Sequence, residues 1–131
     1  MDYKFSVTVD LFSTDVEVYI TDEIHTTCEK IDKENNDVRN KTADMVSGFE
    51  DALSLYVNQY KGGMIYKRYI ILLDPEACDN EIIHECLHTA WYILDHKQIE
   101  CDARNHEVLA YLQGFLYERV KSKLLKYQSK H

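Results

Sequence analysis

Apolar and polar residues alternate through the first twenty positions of the chain. The apolar members of this alternation are Phe5, Val7, Val9, Leu11, Val16, Val18 and Ile20. A period of two residues is typical of strands that bury one face, and the polar stretch Ser13-Thr14-Asp15 interrupts the pattern. The sequence therefore predicts an N-terminal β-hairpin over residues 1–21 that turns near this polar stretch.

The next segment, residues 22–48, is acidic and polar, and its apolar residues show little regular spacing. We expect a solvated helix at about residues 23–34, followed by a surface loop. Alternation then returns from Leu53 to Val57, and a segment rich in Ile and Tyr lies at residues 65–73. Lys61-Gly62-Gly63 marks a turn between them, which predicts a second hairpin over residues 50–73.

Two helices are predicted in the C-terminal half of the chain. The first, over residues 75–95, begins after Asp74 or after Asp79, because Pro75 cannot donate to a strand ladder and suits the first turn of a helix. A polar segment without periodicity follows. The second helix is predicted at residues 105–126, where apolar residues recur at helical spacing, and residues 127–131 are predicted to be a basic tail.

These elements predict one α+β domain over residues 1–131, with about four mainly antiparallel strands packed on the two C-terminal helices.

The net charge of -8 argues against a nucleic-acid partner, because phosphate binding needs clustered Lys and Arg. No apolar run approaches the roughly 20 residues that span a bilayer, and no export signal is seen. Cys28, Cys78, Cys86 and Cys101 form no CxxC pair. We therefore expect a cytoplasmic protein with reduced thiols and no membrane partner.

The candidate chemistry lies at residues 84–88, which read HECLH inside a mostly apolar helix. At about 100° per residue, His84 and His88 share one helix face and Glu85 lies about a quarter turn away. A histidine pair at this spacing can place two nitrogens on one tetrahedral zinc ion, with the carboxylate close to the water of the metal. Zn2+ is therefore the expected cofactor.

A catalytic zinc site needs a third protein ligand. The candidates downstream are Asp95, His96, Glu100, Cys101, Asp102, His106 and Glu107. Glu107 is favoured because it begins a helix on which Ala110 and Gly114 lie on the same strip. Their lack of bulk would let this helix approach the HECLH helix closely enough for the carboxylate to reach the metal.

HECLH followed by NHEVLAYLQGFL resembles the gluzincin arrangement, in which HExxH is completed by a glutamate of an E-x-x-A type motif on the next helix. More narrowly, IIHECLHTAWYIL with the paired AYL segment is similar to small zinc peptidases encoded by phages and prophages. The resemblance covers roughly residues 65–120 and implies a zincin-like fold. It implies that His84, His88 and Glu107 bind zinc and that Glu85 is the general base of a metallopeptidase acting on peptides or proteins.

Tyr111 lies one turn beyond Glu107, and its hydroxyl is predicted to face the metal and stabilise an oxyanion. A second interpretation keeps the zinc without catalysis, in a structural, assembly or regulatory phage protein. In that case Cys101, Asp102 or His96 would supply a fourth protein ligand and close the site. Neither strand order nor oligomeric state follows from the sequence.

Overall fold

The computed structural model describes residues 3–35, 41–45 and 51–131. Within these residues, four strands and three helices form an α+β domain with a mixed sheet. The elements are β1 Tyr3–Val9, β2 Thr14–Ile20, α1 Ile24–Glu34, β3 Ala52–Lys61, β4 Met64–Leu73, α2 Asp79–His96 and α3 Glu107–Lys130. Short 3-10 turns lie at Asp10–Phe12 and Thr42–Met45.

Both hairpins expected from the alternating pattern are present. β1 pairs antiparallel with β2, and Ser13 adopts a left-handed conformation with φ 50° at the turn. β3 pairs antiparallel with β4 through Gly62 and Gly63, at φ 60° and 76°. Two successive positive φ angles fit a tight turn whose twist matches the flanking strands, and glycine adopts them without steric cost.

The strand order is β1-β2-β4-β3, with β2 and β4 pairing in parallel. The chain crosses from β2 to the second hairpin through α1, which supplies the long connection that parallel pairing needs. The sheet is therefore mixed, with antiparallel pairs on either side of one parallel pair. β1 and β3 form its two edges among the described residues.

Each face of the sheet is covered by helices. One face packs on α2 and α3 around a core that includes Val18, Ile71, Ile93 and Leu116. The other face packs on α1 through Tyr19, Leu55, Val57, Ile70 and Leu72. No helix among the described residues combines the length and apolar character needed to cross a membrane.

The expectation of a solvated helix near residues 23–34 is wrong in one respect. The helix is present as α1, but Ile24, Thr27, Cys28 and Ile31 are buried against the sheet. These positions follow helical spacing, and a threonine and a cysteine complete a stripe that apolar residues alone do not reveal. Of the loop expected after it, residues 36–40 and 46–48 lie outside the described residues.

The two C-terminal helices differ from the expected boundaries. α2 begins at Asp79, next to the later of the two expected starts, and the backbone N–H of Cys78 donates to Glu81 Oε1 at 2.9 Å. α3 continues to Lys130, so the expected tail at residues 127–131 is mostly helical. The physical reason is packing: Leu124 is fully buried, and the Tyr127 ring lies 5.6 Å from that of Tyr3.

Candidate metal centre

The two histidines of the HECLH sequence project from the solvent-facing side of α2. The opposite side of this helix is anchored in the core by Ile82, Cys86, Thr89, Ala90, Ile93 and Leu94. His84 and His88 lie one turn apart and are both exposed. Their Nε2 atoms are 3.0 Å apart, and their rings meet at 76° with centroids separated by 4.6 Å.

This distance fits shared metal binding. Two nitrogens on one tetrahedral zinc, each about 2.05 Å from the metal, lie about 3.3 Å apart. An N–H···N hydrogen bond between the rings is the metal-free alternative at the same distance. Among the described residues, His84, Glu85 and His88 are the group of His, Cys, Asp and Glu side chains placed to hold a metal, with ligand atoms within 4.8 Å of one another.

Glu85 is held at the boundary between α2 and the edge strand β3. Ser54 Oγ of β3 donates a hydrogen bond to Glu85 Oε1 at 2.8 Å, and Ser54 itself is buried. The carboxylate is less exposed than either histidine. A hydrogen bond to an ionised acceptor is stronger than one between neutral groups, so this contact fixes the orientation of the carboxylate beside the histidines.

A row of aromatic rings continues from the histidines along the β3 side of α2. The His88 ring stacks on Tyr92 at 6.3 Å between centroids, and Tyr92 meets Tyr56 of β3 edge to face at 5.0 Å. Burial raises the pKa of Tyr92, and the negative charge of Glu85 adds to this shift. Both effects favour the neutral form of this phenol beside the histidines.

The row ends at His96, in the last turn of α2. Its Nδ1 atom lies 2.7 Å from the Tyr69 hydroxyl, and its ring packs against Tyr56 at 4.5 Å. Burial lowers the pKa of His96, Lys67 lowers it further, and Asp95 opposes this change. His96 is thus engaged with the sheet rather than with the HECLH face.

The structure does not bring Glu107 together with the two histidines. Glu107 is the first residue of α3, its side chain is 94% exposed, and its Oε1 atom lies 4.0 Å from Nδ1 of His106. It is not in the group whose ligand atoms lie within 4.8 Å of one another. Its role as third ligand therefore stays a prediction.

The rotation of α3 about its axis explains this placement. The small residues Ala110 and Gly114 were expected to face α2, yet both are exposed. α3 instead packs through a buried stripe of Leu112, Leu116, Val120 and Leu124. The expected close approach through the small residues is wrong, because the larger apolar residues gain more from burial and set which face turns inward.

Tyr111 also lies away from the histidines. Its side chain is 66% exposed and lines a groove beside β1, together with Leu112 and Phe115. Gln113, two positions later, donates to the carbonyl oxygen of Ile83 on α2 at 3.2 Å. Two positions on a helix differ by about 200°, so Tyr111 points away from α2.

Four of the remaining ligand candidates share one pocket, which neither His84 nor His88 lines. Asp95, Glu100, Cys101 and Asp102 line a shallow pocket with Trp91 at the end of α2. The expected metal-binding pair is thus in place, and the other candidates are dispersed over α2, α3 and their connection.

Sequence reasoning missed Ser54 and the aromatic row. Tyr92 carries a local signal, because it lies four residues after His88 and so on a neighbouring part of the same helix face. Ser54 carries none, since it precedes Glu85 by 31 positions and meets it only through packing of β3 on α2.

No family model matches the chain, and neither the curated proteins nor the solved structures include a significant match. The arguments for function therefore rest on the geometry of residues 84–88 and their neighbours.

Proposed function

We propose that this protein is a zinc-dependent metallopeptidase of gluzincin-like type. The observation that carries the proposal is the convergence of two imidazole nitrogens, 3.0 Å apart, beside a carboxylate that the sheet holds in place. A metal ion there would sit on the exposed face of α2, open to a substrate. The HExxH order of residues 84–88 supports the same assignment.

In this proposal His84 and His88 hold the zinc ion, and Glu107 is the candidate for the third protein ligand. When bound, zinc lowers the pKa of a water to about 7 and polarises the scissile carbonyl. Glu85 accepts the proton of the attacking water and delivers it to the leaving amine. Ser54 keeps the carboxylate oriented for both transfers through its 2.8 Å hydrogen bond.

The edge strand β3 is the proposed platform for the substrate. β3 pairs with β4 on one side only among the described residues, and Ser54 places it directly beside Glu85. An extended peptide can add to such an edge through main-chain hydrogen bonds. The partly exposed ring of Tyr56, at the same edge, would contact its side chains. The acidic character of the chain favours neutral or basic substrates.

The test measures bound zinc and hydrolysis on the same preparations of the full chain. We expect about one zinc per chain by mass spectrometry and cleavage of casein or a peptide library by the wild type. Glu85→Gln should retain the metal but lose cleavage by about 10²- to 10⁴-fold, the usual contribution of a general base. His25→Ala is the matched control, since His25 is exposed on α1 and pairs with Glu29.

Two results would contradict the proposal. A chain that binds no zinc at micromolar concentrations would remove the metal site, and unchanged cleavage by Glu85→Gln would assign hydrolysis to another group or to a contaminant.

A second candidate function is zinc binding without catalysis, in a structural, assembly or regulatory phage protein. The observation that favours it is the exposure of Glu107. Glu107 does not join His84, Glu85 and His88, so the expected third ligand of a catalytic site is not assembled with the histidines. In this case zinc binding would be lost in His84→Ala, unchanged in Glu107→Ala, and no substrate would be cleaved.

A further inference from the structure

The edge of the sheet opposite to β3 carries a second surface, which the proposed peptidase activity does not use. A groove of about 620 Å³ runs between β1 and α3. One side is formed by Ser6 to Val9 of β1, and β1 pairs only with β2 among the described residues. Its outer edge therefore offers main-chain donors and acceptors to an added strand.

The α3 side of this groove is basic. Arg119, Lys123 and Lys126 line it at spacings of four and three residues, so they share one helix face. All three are exposed, and none of them pairs with a carboxylate within the part of the chain that the structure describes. By contrast, Lys121 on another face of α3 pairs with Asp79 at 2.8 Å.

This concentration of positive charge is unusual for the chain, which has 15 basic and 23 acidic residues. Asp10 is the acidic residue that lines the groove, against the three cations on α3. At physiological ionic strength charges are screened beyond about 8 Å, so a ligand in the groove senses these cations more than the net charge of the protein.

The other end of the groove is apolar. Leu11 and Tyr111 are 70% and 66% exposed, and Phe115 lies between them and the basic end. The Arg119 guanidinium packs over the Phe115 ring at 5.1 Å, which holds this cation above the apolar surface. Exposed apolar side chains grouped beside unpaired strand groups are typical of a docking surface.

We propose that this groove binds an extended, acidic peptide segment of a partner protein as an additional strand on β1. The strand edge would supply main-chain hydrogen bonds, and the cations of α3 would pair with carboxylates. The apolar end would take a large apolar side chain of the same segment. Nucleic acid fits less well, because three cations on a chain of net charge -8 give little counterion release.

The first experiment measures binding of a defined probe to the full chain by fluorescence anisotropy. The probe is a ten-residue peptide in which Glu alternates with Val and one Phe stands near an end. We expect saturable binding that weakens as salt is raised, and at least tenfold weaker binding of the same peptide with Lys in place of Glu. Equal binding of the two peptides, or none of the acidic one up to about 1 mM, would overturn the proposal.

Charge reversal locates the site. Arg119→Glu combined with Lys123→Glu should weaken binding of the acidic probe at least tenfold. The matched control is Lys33→Glu combined with Lys61→Glu, which makes the same change in net charge at exposed positions outside the groove. Equal losses in the two double variants would show a nonspecific charge effect and would overturn the assignment.

Further measurements test strand pairing and separate the proposed partner from other occupants. N-methylation of alternate residues of the probe should abolish binding, because it removes the donors needed for strand pairing, and amide chemical shifts should change at residues 6–9. Unaltered binding of the methylated probe contradicts strand addition. Dimerisation that the charge reversal abolishes would assign the groove to a second copy, and tighter binding of oligouridine would assign it to RNA; either result overturns the proposal.

Discussion

The two edges of the sheet carry surfaces of different origin. At the β3 edge, the HECLH histidines and Glu85 come from five consecutive residues, and β3 adds Ser54 as a support. At the β1 edge, the groove is assembled from residues 6–12 and 111–126, which meet only in the folded chain. The spacing of neighbouring residues in the sequence determines the first surface, whereas tertiary packing alone forms the second.

The comparison also concerns charge. The β3 edge presents aromatic rings, two imidazoles and the Glu85 carboxylate, the groups that the proposed metal ion and extended substrate would contact. The β1 edge presents three cations on one helix, which suit carboxylates. Under the two proposals, the β3 edge would favour neutral or basic segments and the β1 edge acidic ones.

The largest effect is expected from a core substitution that destabilises the scaffold of both surfaces. Leu116 is fully buried in the core shared by α2, α3 and the sheet. Leu116→Ala should lower the free energy of unfolding by about 2–5 kcal/mol, because it removes buried methyl groups and leaves a cavity. Urea unfolding followed by circular dichroism measures this loss. A change below about 1 kcal/mol would mean that α3 is not packed as described.

The next largest effect is the stabilisation by zinc, which should depend on the β3 edge and not on the β1 edge. If zinc binds at the proposed site and to the folded chain alone, zinc at about 100 times its dissociation constant should stabilise the wild type by about 2.7 kcal/mol. Thermal unfolding should show this increase in His25→Ala and not in His88→Ala. Binding of the acidic probe at the β1 edge should be the same in both variants. An equal zinc response in both histidine variants would show that the metal binds elsewhere.

A smaller effect is expected from breaking the contact between β3 and α2. Ser54→Ala removes the hydrogen bond to Glu85, and a hydrogen bond to a charged group contributes about 1.5–3 kcal/mol. Under the proposed mechanism we expect kcat/KM to fall by about tenfold with zinc affinity preserved, since Ser54 contacts Glu85 and not the histidines. Unchanged hydrolysis in Ser54→Ala would contradict the orienting role.

The extent to which these surfaces could be predicted follows from their origin. The hairpins and the HECLH face were predictable because a period of two, paired glycines and an i, i+4 histidine pair are local signals. The parallel pairing of β2 with β4 was not, since Val16 and Tyr69 belong to distant segments. Placement of Glu107 and Tyr111 depended on the rotation of α3, which its apolar stripe determines.

The smallest expected effect concerns the scaffold between the two edges, at Glu17 on β2. Burial raises the pKa of Glu17, but hydrogen bonds and charge from Arg68, with Lys4, outweigh it, so the net pKa is lowered. A lowered folded-state pKa contributes stability above the unfolded value near 4.5, and this stability is lost as pH falls through the folded value. Glu17→Gln should therefore be less stable than wild type at pH 7, and the difference should close in acid.

Urea unfolding of the wild type and of Glu17→Gln between pH 7 and pH 2.5 measures the difference in their stability. A constant gap across this range would show that the ion pair with Arg68, at 2.7 Å, is not the source of the stability. Glu17→Gln should leave zinc binding and acidic-probe binding unchanged at neutral pH, because Glu17 faces α1 rather than α2 or the groove.

The parallel pairing in the centre of the sheet has a consequence for synthesis on the ribosome. The N-terminal hairpin is translated before the second hairpin, so its inner strand β2 can pair with β4 only when residues 69–73 have been translated. Until then the side of β2 that later meets β4 is open to solvent and to other nascent chains. This pairing is distant in sequence, and distant pairings form more slowly than local ones, so we expect newly made copies to benefit from chaperones until the second hairpin is translated.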